Sequence, residues 1–84
     1  MPDREEQIGK RVIADAMKVH SALGSGLLES AYEVCLAHEL EKHGLGVKRQ
    51  VTLPVVYDGL KLDAGYRLDL LVGDCVIVEL KAVE

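Results

Sequence analysis

Three charged residues near the end of the chain, Asp69, Glu79 and Lys81, have the types and spacing of a metal-dependent hydrolytic site. Glu79 and Lys81 lie two apart in an apolar segment, so on a strand both side chains leave the same face. A hard cation such as Mg²⁺ takes carboxylate and carbonyl oxygens, which Asp69, Glu79 and the carbonyl of Leu80 would supply. Lys81 would then hold or deprotonate the attacking water.

A simpler interpretation of these residues is a set of ion pairs. Charged groups on an apolar strand are costly unless they are paired or bound to a metal. Glu79 and Lys81 would satisfy that requirement by pairing with each other, or with Asp69 and Arg67, near a strand end. The spacing alone leaves both interpretations open, because Asp, Glu and Lys are common residues.

A second group of residues, Gly26, Glu29 and Tyr32, falls at the predicted start of a helix. Glu29 would lie in the first turn, where the helix dipole favours a carboxylate. Tyr32 follows one turn later on a neighbouring face. The alternative is that Glu29 is a surface residue stabilised by the dipole and Tyr32 is a core aromatic.

Two helices must position these residues. Apolar residues at helical spacing predict a first helix over 5–23, ended by Gly24, with Lys10, Arg11, Asp15 and Lys18 outside its apolar stripe. A second helix is predicted over 27–43, ended by Gly44, with Ser25 as a partial cap. Its predicted apolar stripe is Leu28, Ala31, Tyr32, Cys35, Leu36 and Leu40.

The rest of the chain changes to strand periodicity. Three strands in a meander are predicted over 47–57, 60–72 and 75–83. Asp58 and Gly59 form a hairpin turn, and Pro54 implies an edge position or a bulge. The fold class is therefore α+β, with two N-terminal helices followed by a three-stranded antiparallel meander.

Composition limits the classes of function. The chain has 84 residues, enough for one domain, and 49 % of them are apolar. It has no apolar run of the roughly 20 residues that a membrane helix needs, and its charged N-terminus lacks the apolar stretch of a signal peptide, which predicts a cytoplasmic protein without a membrane partner. The net charge of −4 argues against a general nucleic-acid binder.

Contact with nucleic acid would therefore need a local basic patch, or a metal that offsets the carboxylates. The basic residues of the predicted strands, Lys48, Arg49, Lys61 and Arg67, could form a strip for phosphates. They could equally be a solvated strand face.

Taken together, the two groups of residues resemble the GxxExxY proteins of the PD-(D/E)xK nuclease-like superfamily. The likeness spans roughly residues 8 to 83. Beyond Gly26, Glu29 and Tyr32, it rests on Val19-His20, Leu23-Gly24, Glu39-Leu40, Gly44, Arg49-Gln50, Gly65-Tyr66-Arg67, Asp69-Leu70-Leu71-Val72 and Val78-Glu79-Leu80-Lys81-Ala82.

The resemblance implies a set of roles. Asp69 matches the lone acidic residue of such nucleases, and Glu79 and Lys81 match their E-x-K pair. Glu29 matches a helix glutamate that adds a metal ligand, often through water. The implied function is Mg²⁺- or Mn²⁺-dependent hydrolysis of DNA or RNA phosphodiesters, and the alternative is a non-catalytic binding or assembly module on the same fold.

The resemblance also bears on completeness. Related chains continue past the E-L-K-A segment with a further helix and strand. We therefore expect residues 1–84 to form a single domain that is incomplete at its C-terminus. The third strand is apolar on both faces, so we expect a missing segment or a second copy of the chain to cover it.

Strand register decides whether the site can form. A two-residue turn at Gly73 and Asp74 would pair Asp69 with Val78 and direct it away from Glu79. A three-residue loop, Gly73 to Cys75, or a bulge between Asp69 and the turn would place Asp69 opposite Glu79. Because of the resemblance, we predict the second register.

Overall fold

The fold consists of two helices followed by a three-stranded antiparallel sheet, as predicted. The computed structural model describes residues 3–81, without the side chains of Asp63 and Ala64. The elements are α1 (Arg4–Leu23), α2 (Glu29–Lys42), β1 (Val47–Tyr57), β2 (Leu60–Val72) and β3 (Val76–Val78). The strands pair in the order β1-β2-β3, so the chain forms the predicted meander.

Helix α1 has a well-defined end on each side. The Asp3 carboxylate accepts a hydrogen bond of 2.8 Å from the backbone N–H of Glu6, which satisfies one of the unpaired donors of the first turn. At the other end Gly24 has a φ of 74° and donates its N–H to the carbonyl of His20. A residue without a Cβ adopts that left-handed conformation without strain, which explains why the helix ends there.

The prediction that Asp15 lies outside the apolar stripe of α1 is wrong, because Asp15 is fully buried. One of its carboxylate oxygens, Oδ1, accepts from the Arg11 guanidinium, at 2.9 Å in the closer contact. The other oxygen lies 3.0 Å from Nδ1 of His43, just past the end of α2. Buried charges are tolerated when they are paired in this way, so a charged residue occupies a core position and ties the two helices together.

Helix α2 differs from its prediction at its start and in its buried face. It begins at Glu29, with Leu28 in the capping position and no side-chain capping bond, so the cap predicted for Ser25 is wrong. Leu28 is 77 % exposed and does not belong to the apolar face. The buried residues are Glu33, Leu36, Ala37 and Leu40.

The hairpin of β1 and β2 follows its local sequence signals. Asp58 and Gly59 both have positive φ, which is the conformation of the tight two-residue turn that matches strand twist. The ladder is interrupted between Leu53 and Val55, at Pro54, which has no N–H to donate. Strand β1 is also an edge strand of the sheet, so both parts of the expectation for Pro54 are confirmed.

Strands β2 and β3 adopt the predicted site-forming register. A three-residue loop over 73–75 joins them, and the directly paired residues are Val72 with Val76, Leu71 with Ile77, and Leu70 with Val78. The regular strand ends at Val78, however, so the prediction of a strand over 75–83 is too long. Residues 82–84 lie outside the described part of the chain.

Contacts from distant parts of the chain hold this loop. Gly73 has a φ of 60° and donates its N–H to the carbonyl of Gly46 at 2.7 Å. Its own carbonyl accepts a 2.8 Å hydrogen bond from Arg4 at the start of α1. The loop that sets the register is therefore fixed against both the first helix and the segment before β1.

The core lies between the helices and the ends of the strands near β3. Its buried residues are Ile8, Val12, Leu36, Ala37, Leu40, Leu70 and Val72, and Val76, Val78 and Leu80 pack against them. Within residues 3–81, neither helix combines the length and apolar content needed to cross a membrane.

Candidate functional site

Asp69 is the best-placed member of the predicted site. Continuing the pairing of Leu70 with Val78 by one position brings Asp69 across from Glu79. The Oδ2 atom of Asp69 accepts a 2.8 Å hydrogen bond from the backbone N–H of Leu80. This bond occurs just where the regular ladder stops, so the Asp69 side chain continues the pairing of the two chain segments.

Glu79 and Lys81 lie on either side of Leu80, and both are exposed. Leu80 itself is half-buried and packs against the core. Anchoring Leu80 between the core and Asp69 leaves its charged neighbours at the surface beside the end of β3. Asp69 and the segment 79–81 therefore lie next to each other, as expected. Their roles as metal ligands and catalytic groups stay predictions.

A cavity of about 210 Å³ connects Asp69 to α2. Its lining is mainly polar and includes three carboxylates, one guanidinium and one amide. The lining residues are Glu29, Ser30, Glu33, Gln50, Arg67, Asp69 and Leu80. Residues from the helix, from β1, from β2 and from the segment after β3 therefore meet at one place.

The sequence interpretation missed Glu33, which is only 4 % exposed. Its Oε1 accepts a 2.5 Å hydrogen bond from the Gln50 side-chain amide, and its Oε2 lies 3.6 Å from the Arg49 guanidinium. Glu33 precedes Leu36, Ala37 and Leu40 at spacings of three, four and seven, which is the buried stripe of α2. A carboxylate at a core position of an amphipathic helix was the signal that could have identified it.

Glu29, the helix glutamate predicted as a ligand, lies in the first turn of α2 and is exposed. It lines the cavity that contains Asp69. It also lines a larger, mostly apolar cavity of about 470 Å³ that contains Lys81. Glu29 is therefore exposed, as the surface interpretation expects, but it lies beside two of the predicted site residues.

Tyr32, the last residue of the Gly26, Glu29 and Tyr32 motif, contacts the end of α1. Its hydroxyl donates a hydrogen bond to the carbonyl of Gly24, at the end of α1. Its ring stacks on His20 with the ring centroids 6.2 Å apart. Tyr32 thereby fastens the turn between the two helices, and that turn carries the chain into the first turn of α2, where Glu29 lies.

The donor atoms around Asp69 are of the kind that Mg²⁺ and Mn²⁺ prefer. The carboxylates of Asp69, Glu33 and Glu29 and the backbone of Leu80 provide oxygen donors around one cavity. Within residues 3–81, however, no group of three or more His, Cys, Asp or Glu side chains is close enough to form a ready-made metal site. The chemistry of the donor set fits such a cation, and the ligand set Asp69, Glu79, Leu80 and Glu29 stays a prediction.

The basic residues of the strands have different surroundings and do not share one role. Lys48 pairs with Asp74 at 3.0 Å in an exposed contact, and Arg49 lies beside Glu33. Of the four basic residues considered from the sequence, Arg67 is the one that lines the cavity with Asp69.

Comparison with known proteins gives one match. A family model described as the PD-(D/E)XK nuclease superfamily matches residues 6–84, which is most of the chain. No curated protein and no solved structure matches significantly.

Proposed function

The chain belongs to the PD-(D/E)XK nuclease superfamily, and from this premise we propose that it is a metal-dependent nuclease that hydrolyses phosphodiester bonds of DNA or RNA. The observation that supports this proposal most strongly is the register of β2 and β3. Continuing the pairing of Leu70 with Val78 by one position would bring Asp69 opposite Glu79, and Asp69 accepts the N–H of Leu80. A register shifted by one residue would have separated the two carboxylates.

In this proposal, Asp69, Glu79 and the carbonyl of Leu80 would hold Mg²⁺ or Mn²⁺, and α2 would contribute Glu29. The bound cation would offset the carboxylates and stabilise the charge that develops on the phosphate. Lys81 holds the attacking water or takes its proton. As the water oxygen bonds to phosphorus, the bond from phosphorus to the leaving oxygen would break, and that oxygen would take up a proton from solvent.

Charge near the cavity is the second support. The whole chain carries a net charge of −4, which disfavours binding to a phosphate backbone over a broad surface. Arg67 supplies a guanidinium in the same cavity as Asp69, and a guanidinium suits the planar geometry of phosphate oxygens. We propose that substrate contact is local and depends on Arg67.

Two further features stay predictions. The narrower assignment to the GxxExxY proteins rests on the Gly26, Glu29 and Tyr32 motif, and a cytoplasmic location rests on composition. The expected homo-oligomer, in which a second copy covers β3, rests on apolar residues such as Ile77, which is 55 % exposed. A single-chain mass by light scattering at micromolar concentration would contradict the assembly.

The proposal is tested by assaying hydrolysis of single- and double-stranded DNA and RNA with Mg²⁺, with Mn²⁺ and with chelator. We expect Asp69→Ala and Lys81→Ala each to lower the rate at least about 100-fold, because each removes a group of the hydrolytic centre. Asp74→Ala is the matched control, since Asp74 is an exposed carboxylate in the β2–β3 loop. Metal-independent binding of nucleic acid without cleavage would instead favour the non-catalytic module.

A further inference from the structure

The carboxylate of Glu33 is held by two consecutive residues of one strand. Gln50 donates to its Oε1 at 2.5 Å, and the Arg49 guanidinium lies 3.6 Å from its Oε2. In a regular strand, consecutive side chains leave opposite faces. Two neighbours of β1 therefore contact the same buried carboxylate only because the strand is irregular at this position.

The irregularity is at Gln50 itself. Its φ is 54°, in the left-handed region that residues other than glycine seldom adopt. The ladder with β2 pairs Arg49 with Leu70 and Val51 with Leu68, and it omits Gln50 and Asp69 between them. The unusual backbone of Gln50 thus occurs directly beside Asp69, at the lining of the cavity.

Backbone strain of this kind persists only where surrounding contacts enforce it, and it concentrates at functional sites. The side chain of Gln50 donates its hydrogen bond to the buried carboxylate of Glu33. We propose that Gln50 is a positioning residue: its side-chain amide holds the Glu33 carboxylate in the cavity beside Asp69, so that Glu33 serves as an oxygen donor there. This inference rests on the proposed metal-dependent function and adds residues to its site.

The first test measures Mn²⁺ affinity of the whole chain by calorimetry, together with thermal unfolding without metal. Gln50→Ala removes the side-chain amide. Because alanine tolerates positive φ no better than glutamine, the backbone strain at this position should be nearly the same in the variant and in the wild type. We expect its Mn²⁺ affinity to fall about 10-fold or more, as is typical when a group that orients a ligand is removed. Thr52→Ala is the control, because Thr52 is an exposed residue two positions along β1, and its affinity should not change.

A second test separates positioning from a purely structural hydrogen bond. The double variant Glu33→Gln/Gln50→Glu exchanges donor and acceptor and keeps the net charge. If Gln50 positions the Glu33 carboxylate, this variant recovers thermal stability relative to Glu33→Gln alone but does not recover Mn²⁺ affinity. Full recovery of Mn²⁺ affinity would overturn the inference, because it would show that a carboxylate at position 50 binds the metal as well as one at position 33.

The remaining outcomes distinguish this inference from the proposed function. Mn²⁺ binding that depends on Asp69 but is unchanged in Gln50→Ala overturns the role of Gln50 and leaves the proposed function standing. A wild-type chain that binds no Mn²⁺ overturns the metal-dependent function and with it the role of Glu33 as a donor. The melting temperatures of Glu33→Ala, Gln50→Ala and the double alanine variant then test whether the contact between Glu33 and Gln50 stabilises the fold. If the shifts of the two single variants add up to the shift of the double variant, the two side chains do not stabilise each other.

Discussion

The two ends of the β1–β2 hairpin differ in how much of their apolar surface is buried. The end near the helices places Leu70 and Val72 in a core with Leu36 and Leu40, where each is almost or completely inaccessible to water. The distal end, which we define as residues 53–66 and call the arm, is the part of the same two strands that carries the hairpin turn. Val55 is half-buried there. The other large apolar side chains that the structure describes in the arm are exposed by 41 % or more: Leu53, Val56, Tyr57, Leu60, Leu62 and Tyr66.

The difference shows which forces hold each part. The body near the helices is stabilised by removing apolar surface from water. The arm depends on its backbone ladder and its two-residue turn, and an isolated two-stranded hairpin is marginally stable in water. The cavity with Glu33, Gln50 and Asp69 lies on the body side of the arm, where apolar packing gives way to polar contacts.

The largest expected difference between the two regions concerns core leucines. Leu40→Ala should lower the free energy of unfolding by about 2–5 kcal/mol, because Leu40 is fully buried in the body. Leu60→Ala in the arm should change it by no more than about 0.5 kcal/mol, since Leu60 is 59 % exposed. Urea unfolding measures both, and equal losses would break the comparison.

The buried carboxylate of Asp15 in the body should come next. Asp15→Ala leaves Arg11 and His43 without their shared carboxylate, and we expect a loss of about 2–3 kcal/mol, as for hydrogen bonds to charged groups. Asp74→Ala breaks the exposed pair with Lys48 and should lose less than about 1 kcal/mol. A loss for Asp15→Ala as small as that for Asp74→Ala would show that the body does not depend on its buried carboxylate.

Two glycines sharpen the comparison further. Gly73→Ala would force a left-handed alanine and place its Cβ 2.7 Å from Cδ1 of Ile8, so we expect a loss of about 1–2 kcal/mol for the whole fold. In the arm, Gly65→Ala would press against the carbonyl of Leu53 and the side chain of Val55. There we expect faster amide exchange confined to the arm, with the melting temperature of the body nearly unchanged.

The smallest expected effect depends on pH. Lys18 on α1 lowers the pKa of Glu39 on α2 through a hydrogen bond, with a further contribution from Lys42, while desolvation opposes the shift. A carboxylate whose pKa is lowered in the folded state stabilises the fold above its unfolded pKa, and this contribution is lost as pH falls through the lowered value. The melting temperatures of wild type and Glu39→Gln should therefore differ at pH 7 and converge below about pH 4.5.

Glu41→Gln provides the control for that measurement, because Glu41 is exposed on the same helix. Its difference from wild type should show no such convergence. A difference for Glu39→Gln that stays constant from pH 7 to pH 3 would mean that the contact between the helices does not hold the ionised carboxylate.

Local chemistry made much of the fold predictable. Gly24 ends α1, and Asp58-Gly59 turns the hairpin, because in each case a residue that tolerates positive φ stands where the chain must reverse. Pro54 marked an irregular edge strand because proline lacks an N–H. Capping at Ser25 was predicted and is wrong, because α2 begins later, with Leu28 in the capping position and no side-chain capping bond.

The candidate site divides in the same way. Asp69, Glu79, Lys81 and Glu29 were proposed from residue type, spacing and likeness to a family. Glu33 was missed although its spacing to Leu36 and Leu40 is that of the buried face of α2. Gln50 was missed because a glutamine at positive φ has no sequence signature.

By itself, the sequence determined the order of elements, the end of α1 at Gly24 and the Asp58-Gly59 turn, since these depend on neighbours within a few positions. It left two registers open for β2 and β3, because both faces of these strands are apolar and a slip by one residue buries similar groups. The register is fixed by tertiary contacts to Gly73. Its carbonyl accepts a hydrogen bond from Arg4, which is 69 residues away, and its N–H donates to the carbonyl of Gly46, just before β1. Contacts at that separation fix the register in which Asp69 accepts the N–H of Leu80, although Gly73 and Asp74 by themselves would also suit a two-residue turn.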